Sequence, residues 1–109
     1  MTNVKAGMAI FDEETFGPVM AISTFKSEDE AIRMANATDF GLSATIFTQD
    51  MNKATRVSKQ MEVGAVYINT MAKSDPRMPF GGTKKSGYGR ELYTQGIREF
   101  TNLKTVYIG

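Results

Sequence analysis

"SEDEAIRMANATDFGLSATIFTQDMNKATRVSKQMEVGAVYIN", residues Ser27 to Asn69, decides the fold. Ser27 and Glu30 have the S-x-x-E spacing of a capping box, in which each side chain satisfies a free backbone N–H at a helix start. Ala31, Ile32 and Ala35 then repeat at helical spacing, and Gly41 supplies a stop. "SATIFT", Ser43 to Thr48, reads as a strand. Asp50 suits the cap of a second helix over "MNKATRVSKQM", with Ala54, Val57 and Met61 on one face and Lys53, Arg56 and Lys59 on the other. Gly64 ends that helix, and "AVYIN", Ala65 to Asn69, is a further strand. Working outward, "VMAISTF", Val19 to Phe25, is short, apolar and rich in strand formers, so it reads as the first strand. The alternation predicts an α/β fold of three mainly parallel strands joined by crossover helices.

Beyond Asn69 the pattern breaks. Residues Thr70 to Tyr93 hold two prolines and no sustained periodicity. A loop this long inside a compact domain is usually functional or disordered. A short helix is expected from Thr94 to about Thr101, with Ile97 and Phe100 inward, and "KTVYIG" closes the chain as a terminal strand.

Composition narrows the chemistry. Thirteen basic and twelve acidic residues leave a net charge of +1, which gives no electrostatic reason to expect nucleic acid or an anionic membrane as partner. No apolar run is long enough to cross a bilayer, and "MTNVKAGMAIFDEE" lacks the pattern of a signal peptide. The chain has no cysteine and no histidine, so disulfides, thiolate or imidazole metal sites and histidine bases are excluded within it. A cytoplasmic setting is the expectation.

"PFGGTKKSGYGREL", Pro79 to Leu92, invites a phosphate-binding reading, but the spacing fails. A phosphate-binding P-loop needs lysine after its second glycine, and Gly82 is followed by Thr83. A dinucleotide fingerprint needs a third glycine where Leu92 stands. Read on its own, the stretch is either a surface loop whose glycines permit positive φ and whose Lys84 and Lys85 point to water, or a loop that brings backbone close to something large.

Four stretches, "EETFGPV", "SEDEAIRMANATDFGLSATIFTQD", "GAVYIN" and "PFGGTKKSGYGREL…G…EFTNLKTV", resemble in order and spacing the C-terminal part of NAD(P)-dependent aldehyde dehydrogenases. The resemblance covers essentially the whole chain, and "KSDPRMPFGGTKKSGYGRELYTQGIREF" looks most like the succinate-semialdehyde dehydrogenase branch. It implies that residues 1–101 are the end of a catalytic domain and residues 102–109 an oligomerisation strand that makes a homo-oligomer. It also implies that the nucleophilic cysteine and general-base glutamate lie upstream. The chain alone is then inactive and does not bind NAD or NADP by itself, and no catalytic residue lies within it. In the parent reaction a cysteine thiolate attacks the aldehyde, hydride passes to the nicotinamide, and water releases the acid.

The resemblance assigns roles residue by residue. Glu14 accepts hydrogen bonds from the nicotinamide ribose hydroxyls, a task suited to an ionised carboxylate. Phe16 packs beside the nicotinamide; without the resemblance it reads as a core residue. In the substrate-entrance loop after Asn69, Ser74 hydrogen-bonds the substrate's distal carboxylate, Lys73 adds attraction, and Phe80 forms an apolar wall. The arginines that usually help bind that carboxylate lie upstream. Other short aldehydes remain open as substrates. A reading of another class is a non-catalytic interaction or assembly module, whose Val106 and Ile108 add to a partner's sheet edge.

Overall fold

The computed structural model of the chain describes residues 1–109. After a one-turn helix α1 (Ala9–Asp12) come α2 (Glu28–Asn36), β1 (Phe40–Gly41), β2 (Ser43–Ile46), α3 (Met51–Ser58), β3 (Ala65–Ile68), β4 (Thr83–Lys84) and α4 (Tyr93–Glu99). Strands β2 and β3 pair in parallel, Ser43 opposite Ala65 through Ile46 opposite Ile68, with α3 as their crossover. Strands β1 and β4 form a separate antiparallel pair, Phe40 opposite Lys84 and Gly41 opposite Thr83.

Both central helices begin where local chemistry says they should. Ser27 Oγ accepts from the Glu30 amide at 3.2 Å, and Asp50 Oδ1 accepts from the Lys53 amide at 3.0 Å. The reciprocal bond of the box is shifted by one residue: Glu30 Oε2 accepts from the Lys26 amide at 2.7 Å, not from Ser27. A fork from Arg56 to Glu28, at 2.9 and 2.8 Å, ties α3 to α2. Asn36, the last residue of α2, donates to Gln60 O at 2.7 Å and accepts from the Glu62 amide at 3.0 Å, which pins the α3–β3 connection.

Four expectations are corrected. Val19–Phe25 is not a sheet strand. It lies beside the N-terminus, tied by Val4 N–H to Ile22 O (3.1 Å), Ile22 N–H to Met1 O (2.8 Å) and Ser23 Oγ to Val4 O (2.6 Å). Strand propensity gives extended backbone, but a ladder needs a partner of matching length, and four residues do not provide one. The parallel sheet therefore has two strands, not three. Gly41 and Gly64 do not stop helices, because α2 and α3 end earlier, at Asn36 and Ser58.

The third correction concerns α4, whose Ile97 is 74% and Phe100 94% exposed, so neither points inward. Last, Lys104–Gly109 forms no strand: no residue after Thr101 joins a backbone hydrogen bond. A strand exists by pairing, and nothing in this chain lies beside it.

The molecule measures 64 × 33 × 27 Å with a radius of gyration of 17.4 Å. A compact domain of this length has about 13 Å. Only five residues are buried, with Val4, Ile32 and Ala54 as the whole apolar core, while twenty large apolar side chains are exposed. No helix is long and apolar enough to cross a membrane.

Candidate functional site

The loop between Asn69 and Tyr93 is built by two sets of anchors. At its start, Asn69 sits at φ 54°, and its side chain accepts from the Thr48 amide (2.9 Å) and donates to Thr48 O (2.8 Å). A single side chain thus joins the residues just beyond the carboxyl ends of β2 and β3. Tyr67 Oη then donates to Lys73 O at 2.7 Å, folding the loop back on β3. Asp75-Pro76-Arg77-Met78 is a turn, closed by Met78 N–H to Asp75 O at 2.9 Å, with proline where its fixed φ is pre-set. Phe80 ends this part of the loop, bridged to Glu91 by two backbone bonds of 2.9 and 2.8 Å.

The glycine-rich part is a backbone crossing. A Cβ on Gly64 would lie 1.6 Å from Gly81 O, so only glycine lets β3 and the loop meet there. Arg90 Nη1 donates to Gly82 O (2.7 Å) and Gly89 O (2.6 Å), clamping the loop to itself. The amides of Lys85, Ser86 and Gly87 donate to Asp39, Thr83 and Lys84 carbonyls, so they do not form an anion cradle. Lys84 departs from the expectation of a solvent charge. Its Nζ donates to Asn36 O (2.8 Å) and Thr38 O (3.0 Å) and pairs with Glu62 at 2.8 Å, which caps the negative end of α2. Lys85 is an exposed charge paired with Asp39.

Two clefts mark the surface. One, of about 420 Å³, is lined by Phe80, Tyr88, Arg90 and Phe100 beside the glycines. The other, of about 780 Å³, is mainly apolar and lies between α2, α3 and the segment before α2, with Phe11, Phe25, Ile32 and Val57 on its walls. It is an uncovered core more than a site of chemistry. Phe80 is thus placed in a cleft, half-buried, whereas Lys73 and Ser74 are exposed and line neither cleft. Glu14 and Phe16 are exposed too and share no cleft with the loop residues. Phe16, 94% exposed, is not a core residue.

No cluster of acidic residues could hold a metal ion. A nicotinamide coenzyme is a better fit to what is present. Glu14 accepts no hydrogen bond from the chain, which leaves both carboxylate oxygens for a diol, and the Phe16 ring has an open face. The turn after Asn69 carries a further charged pair. Arg77 grips Asp75 through Nε (2.9 Å) and Nη2 (2.6 Å), and its own amide donates to the same carboxylate at 2.9 Å. These bonds, with the charge of Lys73 adding, hold the Asp75 carboxyl well below the usual carboxylate range. The Asp-Pro-Arg spacing is the signal for that turn.

Known proteins align along the whole chain. It is 49% identical, over its full length, to succinate-semialdehyde dehydrogenase [NADP(+)] 1 of Mycobacterium ulcerans, and covers 24% of that protein. It is 45% identical over 106 residues to the chloroplastic betaine aldehyde dehydrogenase of Atriplex hortensis, covering 97% of this chain and 21% of the relative. The chain therefore spans about a quarter of the length of the curated relatives it matches. The solved structure of Gox0499 superposes on 99% of the chain with a TM-score of 0.92 at 44% identity, over 24% of its own length. Betaine aldehyde dehydrogenase of Staphylococcus aureus in complex with NAD+ gives 0.88 at 41% identity, covering 91% of this chain and 20% of that one. The aldehyde dehydrogenase family profile matches residues 1–106, and the chain belongs to the aldehyde dehydrogenase family.

Proposed function

We propose that the chain is the end of the catalytic domain (residues 1–101) and the assembly segment (residues 102–109), a strand only when paired with a partner, of a larger NAD- or NADP-dependent enzyme. That enzyme is a cytoplasmic homo-oligomer that oxidises succinate semialdehyde, or a related short aldehyde, to the acid. One observation carries the reading. The family match runs the length of the chain, yet the chain spans a quarter of its relatives and leaves its apolar face uncovered. A polypeptide with three buried apolar side chains is poorly equipped to act alone.

In this reading Glu14 takes the nicotinamide ribose and Phe16 flanks the ring. Bound there, the coenzyme supplies the hydride acceptor. Ser74 donates its hydroxyl to the distal carboxylate, Lys73 contributes charge, and Phe80 forms an apolar wall. A donor at Ser74 favours a carboxylate tail over an alkyl one, because an alkyl tail leaves the hydroxyl unpaired. The cysteine thioester chemistry belongs to residues outside this chain.

The test compares succinate semialdehyde with butanal in the enzyme that carries this segment. The expected kcat/KM favours succinate semialdehyde by about tenfold or more, and Ser74→Ala shrinks the preference by about tenfold, the worth of one hydrogen bond to a charged group. A wild-type preference for butanal rejects the substrate, and no turnover of either aldehyde rejects the enzyme.

A further inference from the structure

We infer that Arg77 is a second carboxylate-binding residue of the entrance loop, contributed by this chain and oriented by Asp75. The inference rests on the proposed function and sharpens its substrate class to aldehydes with an anionic tail.

Position comes first. In parallel α/β sheets ligands gather at the carboxyl ends of the strands. The carboxyl ends of β2 and β3 are Ile46 and Ile68, and the chain leaves them through Asn69, held to Thr48. Tyr67 keeps Lys73 close to β3, so the turn at Asp75–Met78 starts two residues from a fixed point at that end of the sheet.

Chemistry follows. A guanidinium has five N–H donors in a planar fork. Arg77 spends two on Asp75, and its Nη1 makes no hydrogen bond. Its side chain is 86% exposed, whereas that of Asp75 is 25% exposed. The carboxylate is therefore the seated partner, and the outer edge of the guanidinium faces outward, already oriented. With Lys73 and Arg77 against Asp75, the turn keeps one net positive charge, and Ser74, the residue before Asp75, is a further exposed donor. An arginine fork and a serine hydroxyl together match the two oxygens of a carboxylate. An ordinary surface ion pair explains the Asp75 contact but uses neither the free Nη1 nor the neighbouring donors.

The experiment measures KM and kcat for succinate semialdehyde and butanal in the enzyme that carries this segment. Arg77→Gln is expected to raise the KM for succinate semialdehyde about tenfold, with kcat and the KM for butanal within about twofold of wild type. Arg77→Lys, which keeps the charge without the fork, gives a rise of about threefold and stands in should Arg77→Gln fail to fold. Asp75→Asn removes the orienting carboxylate but keeps the guanidinium, and raises the KM for succinate semialdehyde alone, by no more than Arg77→Gln does. If both aldehydes shift together in these variants, the pair is only structural and the assignment fails. An unchanged KM in both Arg77 variants also defeats it while leaving the proposed function standing. A wild-type enzyme that prefers butanal defeats both.

Discussion

Lys84 looks like a flexible surface charge in "GGTKKSG", and the fold gives it three partners. Its ammonium neutralises Glu62 and satisfies two carbonyls at and just beyond the end of α2. It does this from φ 54°, a conformation that a β-carbon makes costly, so the surrounding contacts hold it there. Lys84→Met keeps the stem and removes the donors. The expected local loss is about 1–2 kcal/mol, the worth of charge-assisted bonds at a helix end. Hydrogen exchange should show it as roughly tenfold faster exchange of amides near Asn36 and Thr38; unchanged exchange there would mean the cap contributes nothing. Nothing in the sequence announced this role, because the partners are 46 and 48 residues away. Ser74 and Phe80 enter the candidate site through the family resemblance alone, since an isolated serine or phenylalanine in a loop has no local signature. Asp75-Pro76-Arg77 is a local turn pattern, but that pattern does not say that the guanidinium folds back onto the Asp75 carboxylate.

At the scale of elements, what was local was legible. Ser27 and Asp50 cap their helices as their spacing requires, and α2, β2, α3 and β3 follow in the expected order. What depended on distant partners was not. The β1–β4 pair joins two-residue strands across more than forty positions, too short to leave a pattern in sequence. Val19–Phe25 and Lys104–Gly109 have the composition of strands, but the first has only the short N-terminus beside it and the second has no neighbour in the chain. Gly41 and Gly64, which the helical reading used as stops, are instead places where backbones touch. Gly64→Ala should therefore cost about 3 kcal/mol or more, since the obstacle is backbone and cannot rotate away. Gly17→Ala is the control, because a Cβ there meets nothing within 4 Å. Thermal unfolding and soluble yield should fall for the first substitution and hold for the second; equal behaviour would contradict the crossing.

The whole molecule has more apolar surface than a chain of its size can leave in water. The uncovered cleft beside α2, the bare face of α4 and the arm from Leu103 to Ile108 are separate patches, and self-association is the expected outcome. The isolated chain should bind a fluorescent apolar dye and show concentration-dependent mass in analytical ultracentrifugation. A dye-silent monomer at all concentrations would show that the patches are covered in solution. Set against that open surface, the loop after Asn69 is unusually well fastened. Asn69 holds one end of the ten residues from Thr70 to Pro79, and the Phe80–Glu91 bridge holds the other. Those ten residues sit like a cartridge in a fixed socket: exchanging them as a block for another ten-residue insert while both fixings stay in place is expected to leave the thermal unfolding of the rest of the chain unchanged.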